Sequence, residues 1–401
     1  MLFPLIASYP GIWAIGLGFV FWPILAVVSF VTLRNREPNS VSKALLAVGL
    51  CELFSIPLGV LFFDASLQRV LAALCNVSVW VTSSILISVK FSSNEQIRLI
   101  KILINLALIQ AGLVLIARII FPDSLPIPIF REQIKYFGMN ALAFADNQIV
   151  YISWFDGFTL RTSGIMANPT WAGGFSVLAI FLLWRRQIEL KKPVYRYCFE
   201  YLLLGYVVYT SLSRSALVSA LIALFCTLVF RLIIDKNNSI KSDVAVISVI
   251  ATIILAIFVY SSGALQELIF ALNETRSGSL LSRKAIYDMT VNYLQEHPFP
   301  VLGFGIKPES EGLVASIATH STFLGVLFKG GILGFFAYIS FLLVSVKQLI
   351  QMRSYFGILL FIFITSWTVF EDFDGGHLIP LFLVLTFRTR FASGYEITSA
   401  K

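Results

Sequence analysis

Arg161, Arg214, Arg283, Lys284 and His320 stand in polar connections between long apolar runs, where a cation or an imidazole can meet a phosphate at a membrane surface. Arg161 opens the stretch RTSGIMANPTWAGG, Arg161 to Gly174, in which Asn168-Pro169 reads as a turn with Pro at the first helical position. A guanidinium above such a helix start either pairs bidentately with phosphate oxygens or anchors the chain to lipid headgroups. Arg283 and Lys284 fall in the first turn of a short surface helix read over Leu280 to Gln295 and stopped by His297-Pro298. Cations are disfavoured at that end of a helix, so their placement points to a partner anion. Arg214, in SLSRS between two closely joined helices, is either an anion ligand or a turn-capping donor.

His320 opens THSTFLGVLFKGGILGFF, where a short apolar helix, Ser321 to Phe328, meets Gly330-Gly331 before the next crossing. A histidine at the mouth of such a half-helix serves the structure, or donates and accepts protons in transfer chemistry. The EDFDGGH stretch, Glu371 to His377, has an Asp-x-Asp spacing that suits Mg²⁺ or Mn²⁺, but it reads more simply as a solvated acidic turn. Gly303 and Gly305 in LGFGIKP lack the preceding strand and the following Lys-Ser/Thr of a phosphate loop, and read as a flexible turn. Glu52 is the one carboxylate deep in an apolar run, a functional or helix-packing group. Cys51, Cys75, Cys198 and Cys226 lie in or at the ends of apolar segments and form neither a disulfide framework nor a metal motif.

The elements that must position these groups are transmembrane helices. Hydrophobic residues make up 58% of the 401-residue chain and charged residues only 13%, and the mean hydropathy is +0.85. With 36 Phe and 7 Trp and so few charges, no soluble globule, disordered chain, coiled coil or disulfide scaffold fits. The expected fold is an all-α polytopic bundle, one integral membrane domain over residues 1–401. Runs of about 20 apolar residues suffice to cross the hydrocarbon core. Eleven candidate crossings can be marked: Gly11 to Leu33, Ala44 to Phe63, Val70 to Val89, Ile102 to Phe121, Thr170 to Trp184, Tyr197 to Leu212, Ser215 to Phe230, Val244 to Tyr260, Gly331 to Val346, Phe356 to Phe370 and Leu378 to Phe387. The opening MLFPLIASYP has no basic n-region and no cleavage site, so no signal peptide is expected to be removed.

Alternate connections carry 19 of the 30 Lys and Arg residues, which by the positive-inside rule makes them cytoplasmic, with the C-terminus inside and the N-terminus outside. Both long loops, 122–169 and 261–319, then face outward, and so do all three histidines, His297, His320 and His377. The net charge of +8 follows from this topology and does not indicate nucleic acid. A transporter would require internal repeats and broken or charged helices near the midplane. The chain shows no repeat, and its basic residues gather in the outer loops.

Three ordered patterns resemble the O-antigen ligase and O-antigen polymerase superfamily: RTSGIMANPTWAG, SLSRSALVSALIALF, and SRKAIYDMTVNYLQEHPFPVLGFG followed by THSTFLGVLFKGGILGFF. They span Arg161 to Phe336. Ser321 and Thr170 stand where the family commonly has Asn. The resemblance implies a metal-independent, inverting glycosyltransferase of the GT-C type with no cofactor. Its donor would be a glycan on undecaprenyl diphosphate, and its acceptor a lipid-linked repeat unit or lipid A core. The location would be the bacterial inner membrane with an outward-facing site, and a chain-length regulator is a candidate partner. By the same resemblance Arg161 and Arg283 bind diphosphate, Arg214 supports them, and His320 works near the acceptor; Lys284, beside Arg283 on the surface helix, is a further candidate for the diphosphate. A lipid-linked oligosaccharide transporter is the competing class.

Overall fold

The computed structural model describes residues 1–33, 35–120, 150–153, 159–166, 168–234, 277–297, 301–308, 316–373, 375 and 377–387. Its helices are α1 (Leu2–Ala7), α2 (Tyr9–Ala14), α3 (Phe21–Thr32), α4 (Ser40–Phe63), α5 (Leu67–Ser88) and α6 (Ser93–Ile120), followed by α7 (Pro169–Glu189), α8 (Cys198–Ser211) and α9 (Arg214–Ile234). The chain continues through α10 (Ser277–Glu296), α11 (Thr322–Met352), α12 (Tyr355–Trp367) and α13 (Pro380–Thr386). A two-stranded antiparallel ribbon, β1 (Val150–Ser153) and β2 (Thr159–Thr162), precedes α7 and pairs Tyr151 with Arg161.

The fold is an all-α membrane protein. Among the described residues, five helices are long and apolar enough to cross a bilayer: Ser40–Phe63, Leu67–Ser88, Ser93–Ile120, Arg214–Arg231 and Thr322–Met352. The expected crossing over Val244 to Tyr260 lies outside the described residues. The first apolar run is not one helix. Gly16 takes φ 80, a left-handed conformation open to glycine, and the run divides into the end of α2, a short 3₁₀ turn at Gly18–Val20 and α3. The last run holds only the seven helical residues of α13, all buried.

The packing produces two distinct ends. α11 lies along α4, α4 against α5, α9 against α12, and α7 against α8. One end gathers Lys90–Glu37 at 2.5 Å, Arg185–Glu189 at 2.7 Å and the Arg185 guanidinium over the Phe356 ring. The other end gathers the starts of α7, α9 and α11, the helix α10 and the turn after α12. There Arg69 donates to the Lys307 carbonyl at 3.2 Å and to the Ser316 hydroxyl at 3.1 Å, closing α5 against the segment before α11.

A break in α11 organises this second end. Gly331 has φ 63 and ψ −160, so the helix stops and restarts, and the carbonyls ahead of the break lose their intrahelical donors. The LGFG segment supplies them: the Phe304 N–H donates to the Phe328 carbonyl and the Gly305 N–H to the Lys329 carbonyl, both at 2.9 Å. Ser55 of α4 donates its hydroxyl to the Leu302 carbonyl from the other side. A Cβ on Gly303 would overlap the Gly331 backbone, and one on Gly305 would overlap the Ser55–Ile56 backbone. The flexible turn expected here is therefore a rigid clamp, glycine-rich because three backbones meet. Phe304, fully buried, anchors it among Phe63, Tyr293 and Phe328.

Candidate functional site

α10 is the template of the site. Arg283, Tyr287 and Thr290 recur at i, i+4 and i+7, which places them on one helix face. Arg283 donates Nη2 to Glu371 Oε1 at 2.7 Å and Nη1 to the Phe370 carbonyl at 2.9 Å. Tyr287 donates its hydroxyl to the His320 carbonyl at 2.6 Å. Thr290 Oγ1 accepts the Ala318 N–H at 2.7 Å while its own hydroxyl donates to the Ile286 carbonyl at 2.6 Å. The helix begins at Ser277, a turn earlier than the sequence suggests, so Arg283 lies beyond the first turn and the helix dipole does not explain it. Its counter-charge is the Glu371 carboxylate.

The turn after α12 brings the acids inward. Glu371 is 1% exposed, and Asp372 Oδ2 accepts from Lys307 Nζ at 3.1 Å. A solvated acidic turn is thus corrected: both carboxylates are held by cations from elements more than sixty residues away in sequence. Asp374, the second acid of the Asp-x-Asp spacing, lies outside the described residues. Among the described residues no three His, Cys, Asp or Glu side chains gather as a metal site. The Glu371 Oε2 atom is buried with no hydrogen-bond partner among the described residues.

His320 sits immediately ahead of α11, whose N-cap Ser321 accepts the Leu324 N–H. Its backbone is left-handed, φ 62, and Ala318 is left-handed too, φ 58. Two such non-glycine residues cost on the order of 1–3 kcal/mol each, so the surroundings must hold them. Burial pushes the His320 imidazole below its ordinary value; Glu371 and Asp372 pull it up, and Arg283 and Lys307 push it down. The net shift favours the neutral form of the ring, which can accept a proton. Burial works against the Asp372 carboxylate, but Lys307, helped by His320 and Lys329, outweighs it and holds the group below the usual range. Arg283 is disfavoured by burial and held charged by Glu371.

Arg161 reaches the same end of the bundle from β2. Its Nε donates to the Ser211 carbonyl at 3.0 Å, at the C-terminus of α8, where Leu212 turns left-handed at φ 51. Ser213 donates to the Thr170 carbonyl at 3.3 Å, so the α8–α9 turn that carries Arg214 is stitched to the start of α7. That start follows the expected pattern: Pro169 is the first helical residue and the Asn168 side chain accepts the Trp171 N–H at 3.1 Å. Trp171 then packs edge-on against His377, ring centroids 5.0 Å apart, and His377 Nε2 donates to the Asp372 carbonyl at 2.9 Å. This run of contacts joins the Arg161 half to the Arg283 half. Lys284 is exposed, and no hydrogen bond or ion pair among the described residues ties it to the cluster.

Residues 200–339 match the family model described as O-Antigen ligase. That stretch is similar to O-antigen ligases. The matched stretch is a little over a third of the chain and supports its place in the O-antigen ligase and polymerase superfamily. No curated protein matches the chain. The matched stretch contains Arg214, Arg283, Lys284 and His320, together with Lys307, which sequence reasoning passed over; Arg161 and the acidic turn lie on either side of it. Tyr287 was also passed over, although its i+4 spacing from Arg283 is visible in SRKAIYDMT. Of the other histidines, His297 stacks on Tyr293 at 4.0 Å and bonds its carbonyl, a packing role, and His377 is buried among Trp171, Trp367 and Phe373.

Proposed function

We propose that the protein is a polysaccharide polymerase of the bacterial inner membrane, with its site on the outer face. It would transfer a growing glycan from undecaprenyl diphosphate onto the next lipid-linked repeat unit. The observation that carries the reading is the partly buried His320 imidazole, set between two cation–carboxylate pairs on the same end of the bundle as Arg161. In the reaction, an acceptor hydroxyl oxygen bonds to the anomeric carbon as the bond from that carbon to the diphosphate oxygen breaks. The bonding pair leaves on the diphosphate, and the hydroxyl proton passes to His320. Attack opposite the leaving group inverts the anomeric centre.

Leaving-group charge requires fixed positive groups in a dry site, and this is the work given to Arg161 and Arg283. Arg283 has five N–H donors, and two are used by Glu371 and the Phe370 carbonyl, which leaves three for phosphate oxygens. Arg214 and Lys284 would add positive potential around the lipid headgroup. Such electrostatics do the task that a divalent ion performs in other transferases.

A second reading is favoured by the description of the matched family: an O-antigen ligase, with lipid A core as acceptor. The purified protein, given undecaprenyl-diphosphate-linked repeat units with and without lipid A core, separates the two. Lengthened lipid-linked chains identify a polymerase, and glycosylated core identifies a ligase. Movement of lipid-linked sugar across vesicles with no change in either would instead mark a transporter.

A further inference from the structure

α10 carries more than an arginine. Its Tyr287 hydroxyl meets the His320 carbonyl at 2.6 Å, and Thr290 takes the Ala318 N–H at 2.7 Å, so one helix face grips both ends of the 318–320 turn. The turn needs gripping, because Ala318 and His320 both adopt left-handed backbone conformations that side-chain-bearing residues avoid. Further along, the Thr322 N–H donates to the Thr368 carbonyl and its hydroxyl to the Glu371 carbonyl, fixing the chain beyond the histidine.

We infer that Tyr287 is the positioning residue of His320: its hydroxyl bond to the His320 carbonyl, one helical turn from Arg283, locks the left-handed turn that aims the imidazole at the acceptor. This rests on the reading that His320 serves the acceptor hydroxyl. The arrangement couples the two halves of the chemistry mechanically, since a shift of α10 would move the diphosphate ligand Arg283 and the backbone of His320 together. Burial raises the Tyr287 phenol above its ordinary value, so it remains a donor throughout the working range. Among the described residues, the charged groups facing His320 come from three elements: Arg283 of α10, Lys307 of the glycine clamp, and Glu371 and Asp372 of the turn after α12.

The test is Tyr287→Phe, which removes one hydroxyl and keeps the ring. With folded protein, turnover should fall roughly 10- to 100-fold, the size of effect a misplacement of about 1 Å produces, and the donor KM should stay close to wild type. A residue that only fills space would leave the pH profile alone. Here the loosened imidazole gains water, so the acid limb of kcat should move up towards the ordinary histidine value. If Tyr287→Phe folds poorly, the same measurements on Tyr287→Phe with Ala318→Gly apply, because glycine adopts the left-handed turn freely. Wild-type turnover with an unmoved acid limb in the folded variant overturns the inference. His320→Ala at full activity would overturn the underlying assignment of His320, an outcome separate from any result at Tyr287.

Discussion

Arg283 and Glu371, 88 residues apart, share a 2.7 Å ion pair in which the carboxylate is 1% exposed and the guanidinium 22%. The candidate diphosphate ligand is therefore also a structural partner, and its removal tests two things at once. Breaking a buried pair from one side typically costs about 3–5 kcal/mol, because a charge is left uncompensated, and the partial exposure of Arg283 puts this case at the lower end.

Arg283→Ala should thus lose both polymer and melting temperature, whereas Arg283→Ala with Glu371→Gln should regain most of the stability and stay inactive. Thermal melts in detergent alongside a chain-lengthening assay check this. A double variant that is both stable and active removes Arg283 from the chemistry. Arg283→Lys should fold and still transfer poorly, since an ammonium cannot reproduce the guanidinium fork.

The glycine clamp gives a prediction that separates neighbours. Gly331 is left-handed and pressed against the Gly303 backbone, while a Cβ on Gly330 meets only the Cys51 and Glu52 atoms at 3.6 Å or more. Gly331→Ala and Gly303→Ala should therefore abolish folded protein, and Gly330→Ala should accumulate at close to normal levels. Membrane-fraction yield with fluorescence-detected gel filtration measures the contrast, and equal tolerance at 330 and 331 would be the contrary result.

What could be read in the chain divides along range. The Pro169 helix start, the α10 surface helix, and the half-helix broken at Gly330-Gly331 are local patterns, set by caps, prolines and glycines within a few residues, and the sequence displays them. Arg283–Glu371 and Lys307–Asp372 join positions 88 and 65 residues apart, and no periodicity reports such pairings. The acidic turn therefore reads as solvated from the sequence, and Lys307 goes unnoticed there. The early apolar run misled for another reason: its hydropathy is continuous from Gly11 to Leu33, and only the backbone at Gly16 reveals the break.

His377 offers a pH prediction. Burial pushes its imidazole down to about 4, despite the hydrogen bond to the Asp372 carbonyl. The unfolded chain binds a proton at about 6.5 and the folded chain does not, so stability is full above that value and falls as pH drops towards 4. The loss amounts to about 3 kcal/mol across the window. Melting temperature followed from pH 7 to 4 should decline, and the decline should flatten in His377→Asn, which has no proton to take up. An equally steep decline in that variant would assign the acid sensitivity to another group.

Glu52 and Lys329 supply the last prediction. The Lys329 ammonium lies 2.9 Å from the Glu52 carboxylate, both side chains under a tenth exposed, where α4 meets the last turn before the break in α11. Two charges so buried pay a desolvation cost that their attraction barely offsets, and apolar replacements of similar volume are often neutral or stabilising. Stability alone therefore gives a weak reason for the pair, whereas Lys329 has an electrostatic effect on Asp372 and so reaches the His320 cluster. Glu52→Leu alone should destabilise by leaving the ammonium unpaired, and Lys329→Met alone by stranding the carboxylate. Glu52→Leu with Lys329→Met should melt at or above the wild-type temperature yet transfer glycan more slowly, because Asp372 has lost a cation. If that double variant keeps full turnover, the pair is a packing device of the α4–α11 contact and has no part in the chemistry.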